Sequence, residues 1–135
     1  PCAAHAQVVA YRVGRAETIA HGTIEHAVIL VDGAKIVAIG EDMPVERGIR
    51  VVDLPECTVI PGLVLVDTRL GLDGQAGGGS HPEVLASDEL YPAAEEYEDV
   101  RELGITTLGL SPAGSGIPGR GVAVKPRGAT PEEMI

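Results

Sequence analysis

An acid and a base stand at the end of an apolar strand. In the stretch PGLVLVDTRLGL, an apolar run is followed by Asp67 and, two residues later, by Arg69. Side chains alternate along a strand, so both residues are predicted to share one face with Leu63 and Leu65. The pair has two interpretations. It is an ion pair that neutralises itself, or it stands where the C-terminal ends of parallel barrel strands carry chemistry.

The four histidines do not form a metal motif. No two of them are spaced as H-x-H or H-x-x-x-H, the pairs by which one element commonly binds zinc. They are His5, His21, His26 and His81. His81 ends a Gly-rich loop that begins at Gly71. It therefore joins Asp67 and Arg69 as a candidate ligand-binding residue, with no catalytic residue assigned.

A glycine motif invites a cofactor interpretation that its context does not support. The sequence GSGIPG, residues 114–119, matches G-x-G-x-x-G and follows a predicted strand, as in dinucleotide-binding proteins. However, Pro118 lies inside the motif and no helical pattern follows. The given sequence also ends before the position about 20 residues beyond Gly119, where an acidic residue is expected. We therefore predict a flexible loop here and expect no bound cofactor in this chain.

Composition excludes some classes of partner. The chain has 135 residues, a hydrophobic fraction of 44% and a formal net charge of −10. This length corresponds to one ordinary domain or a piece of a larger one. The negative charge argues against nucleic acid, which selects clustered Lys and Arg. There is no apolar run of 18 residues, so no transmembrane segment is predicted.

The first six residues carry a clue to localisation. Ala4-His5-Ala6 resembles the small-x-small end of a signal peptide, so residues 1–6 are interpreted as a possible signal-peptide remnant. This favours export or a periplasmic location, although Ala-x-Ala also arises by chance in an Ala-rich chain. Cys2 and Cys57 could pair, but two cysteines do not form a disulfide framework.

Residues 7–61 predict a small β-sheet segment. Two β-rich runs flank Asp32-Gly33, a dipeptide that favours a tight hairpin because glycine accepts a positive φ. IRVVDL and CTVI are predicted to be two further strands, separated by Pro55. Five short strands with close turns are typical of half a β-sandwich.

Residues 62–135 predict a strand–helix–strand unit. LVLV is typical of a strand buried on both faces. A helix is expected between Pro92 and Gly104, followed by the strand ITTLGL and a further strand GVAVK. The two strands around the helix should be parallel. Thr130 to Glu133 has the pattern of a capping box, so the chain is expected to break off inside a helix. The fold class is therefore mixed β and α/β: half a sandwich followed by the first units of an incomplete TIM barrel.

Most of the chain resembles one enzyme superfamily. The run ILVDGAKIVAIGEDMPVERGIRVVDLPECTVIPGL resembles the N-terminal segment of metal-dependent amidohydrolases. YPAAEEYEDVRELGITTLGLSP and GIPGRGVAVKPRGATPEEMI are similar to the following units of the imidazolonepropionase-like branch. The resemblance covers residues 24–135. It implies a β-sandwich before a TIM barrel, with a first barrel strand that ends in P-G-L-[IV]-D-x-H-x-H and binds one or two metal ions.

The two histidines of that motif are replaced in this chain. Their positions fall on Asp67 and Arg69, and an arginine cannot ligate a metal because it offers only donors. The resemblance therefore implies a lost metal centre, with Asp67 as a ligand only if the site survives.

Three functional hypotheses follow. The first is a non-catalytic structural or partner-binding subunit that another chain, or another copy of this one, completes. The second is the N-terminal part of a hydrolase of C–N bonds in amides or cyclic amides, with a divalent metal such as zinc. The third is a small-molecule binding module that uses Asp67, Arg69 and the loop up to His81.

Overall fold

A computed structural model of the chain describes residues 8–74 and 77–135. The chain divides into two compact units, Pro1–Pro61 and Gly62–Ile135. The possible signal-peptide remnant, residues 1–6, lies outside the described residues, as do Cys2 and His5.

The first unit is one five-stranded sheet built around a long central strand. Its strands are β1 (Val9–Thr18), β2 (Gly22–Glu25), β3 (Ala27–Asp32), β4 (Lys35–Glu41) and β5 (Arg50–Val59). β1 pairs antiparallel with β2 and β3 and parallel with β5, and β3 pairs antiparallel with β4. The predicted hairpin is confirmed: Asp32 pairs with Lys35, and Gly33 takes a φ of 58° in the turn. A small apolar core contains Val13, Ala16, Ala27 and Ile29.

The prediction of two strands separated by Pro55 is wrong. β5 runs through Pro55 as one strand of ten residues. A proline has no N–H to donate, and this strand accepts it because β5 pairs only with β1 and the register shifts between Val13 and Arg15. Gly14 lies at that shift. A Cβ on Gly14 would stand 2.1 Å from the Pro55 carbonyl oxygen, so the close approach of the two strands requires glycine there.

The second unit contains a three-stranded sheet, a two-stranded ribbon and short helices. Its elements are β6 (Leu63–Thr68), β7 (Gly77–Ser80), a 3₁₀ turn (Ala86–Glu89), α1 (Glu96–Glu102), β8 (Ile105–Leu110), β9 (Gly114–Ile117), β10 (Val122–Val124) and α2 (Pro131–Met134). The predicted strand–helix–strand unit is confirmed, because β6 and β8 are parallel and α1 connects them. GVAVK supplies β10, antiparallel to β8.

α1 and β8 bury the core of this unit. Tyr97 and Val100 face inward from α1, and Leu108, Leu110 and Val124 are almost fully buried in the sheet. α1 is shorter than predicted, because residues 92–95 form turns before the first helical residue. It ends as expected at Gly104, whose φ is 78°.

Three further expectations for this unit are corrected. The first four residues of GSGIPG, Gly114–Ile117, form strand β9, which pairs in parallel with β7, so this part of the motif is not a flexible loop. LVLV is not buried on both faces, since Val64 and Val66 are 62% and 69% exposed. The capping box is also altered. The Glu133 carboxylate accepts a 2.8 Å hydrogen bond from the backbone N–H of Ala129, one residue before the N-cap Thr130.

Candidate functional site

The end of β6 carries a bulge at the position of Asp67. Leu65 pairs with Leu108 and Thr68 with Leu110, so Val66 and Asp67 together stand opposite Gly109. Asp67 takes a φ of 57°, which is rare for a residue with a side chain. The bulge interrupts the alternation of side chains. The prediction that Asp67 and Arg69 continue the face of Leu63 and Leu65 is therefore wrong, because that alternation requires a regular strand.

Arg69 stabilises the loop that follows β6. Its Nη2 donates a hydrogen bond of 3.1 Å to the backbone carbonyl of Gly74, five residues later. The Leu72 N–H donates to the Arg69 carbonyl at 3.1 Å, which tightens the same loop. Among the ion pairs of the described residues, none joins Arg69 to Asp67. The self-neutralising pair considered from the sequence is therefore not formed.

A buried tyrosine, Tyr97, also fixes this loop. The Tyr97 hydroxyl donates to the Leu70 carbonyl at 3.3 Å, and burial raises the pKa of this phenol. Gly71 lies directly on the ring, with a φ of 70°, and a Cβ there would stand 1.9 Å from the Tyr97 oxygen. The Tyr91 N–H donates to the Gly71 carbonyl at 2.8 Å. The loop after β6 is thus fixed at Leu70, Gly71 and Gly74.

An open cleft of about 1070 Å³ adjoins this loop. Arg69 and Tyr91 line it together with four carboxylates, which belong to Asp73, Glu95, Glu96 and Asp99. Four formal negative charges therefore line the same cleft as one guanidinium, which already donates to Gly74. This balance disfavours the carboxylate ligand that the binding-module hypothesis assigned to Arg69, because like charges repel.

His81 makes its own local contacts at the end of β7. Its Nε2 lies 3.1 Å from the Gly78 carbonyl oxygen, and its Nδ1 lies 3.3 Å from a Glu83 carboxylate oxygen. The Gly78 carbonyl, followed by the Glu83 carboxylate, raises the pKa of His81 because both favour the protonated imidazole. The backbone N–H of His81 donates to Ile117 at 2.7 Å. These contacts link the β7–β9 ribbon to the segment that follows it.

The structure does not gather the three predicted site residues into one cleft. Arg69 lines the cleft described above, whereas Asp67 and His81 are not among its lining residues. Within residues 8–74 and 77–135 there is no cluster of three or more His, Cys, Asp or Glu side chains placed to hold a metal ion. Sequence reasoning missed the role of Tyr97 in holding the loop. Its signal was an aromatic residue with a polar tip on the apolar face of a predicted helix.

Comparison with solved structures shows the fold. The chain is similar to an amidohydrolase from Thermotoga maritima MSB8, with a TM-score of 0.80 and 24% sequence identity over 94% of this chain and 36% of that chain. It also resembles a Xaa-Pro dipeptidase with bound methionine in its active site, with a TM-score of 0.51 and 20% identity over 76% of this chain and 26% of that one. No family model matches the chain, and no curated protein matches it.

The fold is therefore amidohydrolase-like, and the predicted mixed β and α/β class is confirmed. At these identities the similarity concerns the fold alone. The chain spans about a third of the length of the amidohydrolase it matches. No helix in the described part of the chain is long and apolar enough to cross a membrane.

Proposed function

We propose that this chain is a non-catalytic, amidohydrolase-like subunit with a structural or partner-binding role, and that another chain completes its fold. The observation that supports the proposal is the hydrogen bond that the Arg69 side chain makes within its own loop. Arg69 stands where the sequence resemblance expects the second metal-binding histidine of the first barrel strand. There it closes its own loop on Gly74. A hydrogen bond from Arg69 to the backbone of its own chain supports a structural role for this side chain.

The residues present at this position do not fit a metal centre. Asp67 offers one exposed carboxylate on a bulged backbone. Arg69 offers only N–H donors, and a cation close to a metal ion would repel it. A zinc site needs three or four nitrogen, sulfur or oxygen ligands. Asp67 and Arg69 therefore do not provide a metal-dependent reaction by themselves.

The exposed face of β6 supports the need for a further chain. Leu63, Val64 and Val66 are 49%, 62% and 69% exposed, although their types are those of a buried strand. β6 pairs with β8 and is the last strand of its sheet. An apolar strand with an unpaired edge is a surface on which another strand or helix docks.

An alternative is favoured by one specific observation, the coverage of the amidohydrolase chain. The 36% of that chain that is matched leaves room for further barrel strands. In this alternative the sequence is the N-terminal part of a metal-dependent hydrolase of C–N bonds, in the imidazolonepropionase-like branch. Its metal ligands would come from other segments, with Asp67 recruited as one of them.

Metal content separates the two proposals. The assembly that contains the wild-type chain is purified from its source, beside an Asp67→Ala variant, and analysed for zinc, iron and manganese and for hydrolysis of amides and cyclic amides. A non-catalytic subunit predicts no metal in stoichiometric amount and no hydrolysis in either sample. Stoichiometric metal that falls in the variant supports the hydrolase and rejects the non-catalytic role.

A further inference from the structure

A second cleft lies in the first unit, on one face of the five-stranded sheet. Its volume is about 520 Å³. It shares no residue with the Arg69 cleft, and every residue that lines it lies within Arg12–Pro55. Small-molecule sites usually have volumes of about 300–1,000 Å³.

The register of the sheet explains which side chains meet there. Across the strands, Asp53 pairs with Arg12, Arg12 with Val28, and Val28 with Gly40. Two residues further along each of these segments, a second row is formed by Pro55, Gly14, His26 and Asp42, and all four line the cleft. Backbone hydrogen bonds hold this second row, from His26 N–H to Gly14 at 2.8 Å and from Asp42 N–H to His26 at 3.1 Å.

Glycines border this cleft: Gly14 lies inside the second row, and Gly40 stands at the end of the first row. Gly14 cannot carry a side chain, since a Cβ would collide with the Pro55 carbonyl oxygen. At Gly40 a Cβ would stand 3.0 Å from the side chain of Met43, which therefore packs against the glycine. Gly14 lines the cleft without a side chain, so the longer side chains around it border a depression.

Two of the bordering residues have an uncommon backbone. His26 and Asp42 have φ values of 48° and 45°, in the left-handed region that residues with a side chain rarely adopt. Both line the cleft, from the loop positions just before β3 and just after β4. Backbone outliers of this kind cluster at ligand-binding positions, where the surrounding structure maintains them.

The polar groups of the cleft keep unused bonding capacity. Arg12 Nη1 lies 3.7 Å from Asp53 Oδ1, which is longer than a hydrogen bond, and the two side chains are 51% and 63% exposed. Among the ion pairs and side-chain hydrogen bonds of residues 8–74 and 77–135, none involves the His26 imidazole or the Asp42 carboxylate. One guanidinium and two carboxylates therefore line one cleft, and the long ion pair between Arg12 and Asp53 leaves both groups able to form hydrogen bonds with a ligand.

We propose that this cleft binds a small molecule that carries an ammonium group and a carboxylate, in the manner of a free amino acid with an aliphatic side chain. Arg12 pairs with the carboxylate, because a guanidinium matches a carboxylate in planar geometry. Asp42 and Asp53 accept hydrogen bonds from the ammonium group. Val28 and Met43 contact the aliphatic part. A ligand with only a carboxylate meets two like charges here, and a ligand with only an ammonium group leaves Arg12 without a partner.

The test is a titration of the ¹⁵N-labelled chain, followed by its backbone amide resonances. The probe is L-norleucine. Pentylamine lacks its carboxylate and hexanoate lacks its ammonium group, so these two serve as matched single-charge controls. The proposal expects L-norleucine to shift the amides of Gly14, His26 and Asp42, and expects neither control to do so at the same concentration.

Variants then assign the binding groups. Arg12→Gln and Asp42→Asn are each expected to weaken L-norleucine binding at least tenfold. Arg47→Gln, an exposed arginine of the same unit outside the cleft, should bind as the wild type does. Asparagine tolerates the left-handed backbone, so Asp42→Asn should fold, and dispersed amide spectra check this. If Asp42→Asn does not fold, the affinity of Arg12→Gln for L-norleucine tests the proposal.

Three outcomes overturn the proposal. The first is no shift at these amides with L-norleucine. The second is an equal shift with pentylamine or hexanoate, which shows that a single charge suffices. The third is wild-type affinity in Arg12→Gln and in Asp42→Asn.

Discussion

Replacing two valines on the exposed face of β6 should weaken assembly without unfolding the chain. The change is Val64→Thr with Val66→Thr, which retains β-branched side chains and therefore the preference for a strand. Both valines are more than half exposed in the chain alone. If another chain covers β6, as proposed, their burial belongs to the assembly rather than to the fold of this unit.

The magnitude follows from the exposed fractions. Full burial of a valine side chain stabilises by about 1.5 kcal/mol, the lower end of the range for large apolar residues. Val64 and Val66 retain 62% and 69% of their exposure. Completing their burial therefore contributes about 1 kcal/mol each. Threonine retains part of this apolar surface but also buries a hydroxyl, which costs about 1–3 kcal/mol without a hydrogen-bond partner. A loss of about 2 kcal/mol for the two substitutions together corresponds to roughly 30-fold in a dissociation constant. The free energy of unfolding of the chain itself should change by less than about 0.5 kcal/mol, as for other exposed positions.

The assay has two parts. Urea denaturation of the purified chain measures the stability of wild type and variant. Native mass spectrometry of the assembly from the source organism measures the fraction of the chain that is assembled over a dilution series. Ile19→Thr is the control, since Ile19 is 93% exposed in a turn outside β6. Assembly of the double variant at wild-type concentrations would refute the reasoning, as would a loss of stability of several kcal/mol in the chain alone.

Three further predictions concern the loop after β6 and the β7–β9 ribbon. Gly71→Ala should lower the free energy of unfolding by more than about 2 kcal/mol, because the new Cβ meets the buried Tyr97 ring at a position with a positive φ. Gly104→Ala is the control, since Gly104 also has a positive φ but has open space around it. It should lower the free energy of unfolding by only about 1 kcal/mol in the same denaturation series. Equal losses would contradict the contact with Tyr97. Tyr97→Phe should cost about 1 kcal/mol by leaving the Leu70 carbonyl without its donor, and a neutral result in urea would show that this bond is not formed. The folded-state pKa of His81 is raised, so its contribution to stability is fully present below the ordinary histidine value of 6.5 and is lost as the pH rises through the folded value. Thermal melts between pH 5 and pH 8 should show this decrease of stability with pH in the wild type but not in His81→Gln. An unchanged pH dependence in the variant would exclude His81 as its source.

The sequence predicts elements whose signals are local. The Asp32-Gly33 hairpin follows from glycine's freedom at positive φ, and the β6–α1–β8 unit follows from two apolar runs around an amphipathic helix. Pairings that depend on distant segments were missed. β5 continues through Pro55 because its partner β1 provides Gly14 at the close approach. The glycines of β9 form a strand because β7 lies beside them, although glycine itself has little preference for strands.

At the candidate site, the sequence identified the residue types but not their arrangement. The positions of Asp67 and Arg69 at the end of a strand are visible in the sequence, and so is the replacement of a histidine pair in the resemblance. The bulge that turns Asp67 out of the alternation depends on the register of β6 against β8. The hydrogen bond from Arg69 to Gly74 depends on the curvature of the loop. Neither is encoded in the spacing of the two residues.

Native mass spectrometry of the chain purified from its source tests the central claim most directly, read for the mass of the assembly and for bound metal. We expect a complex that contains this chain with a partner or with further copies, and that holds no zinc, iron or manganese at the position of Asp67 and Arg69. A complex that holds a transition metal in stoichiometric amount, lost when Asp67 is replaced by alanine, would contradict it.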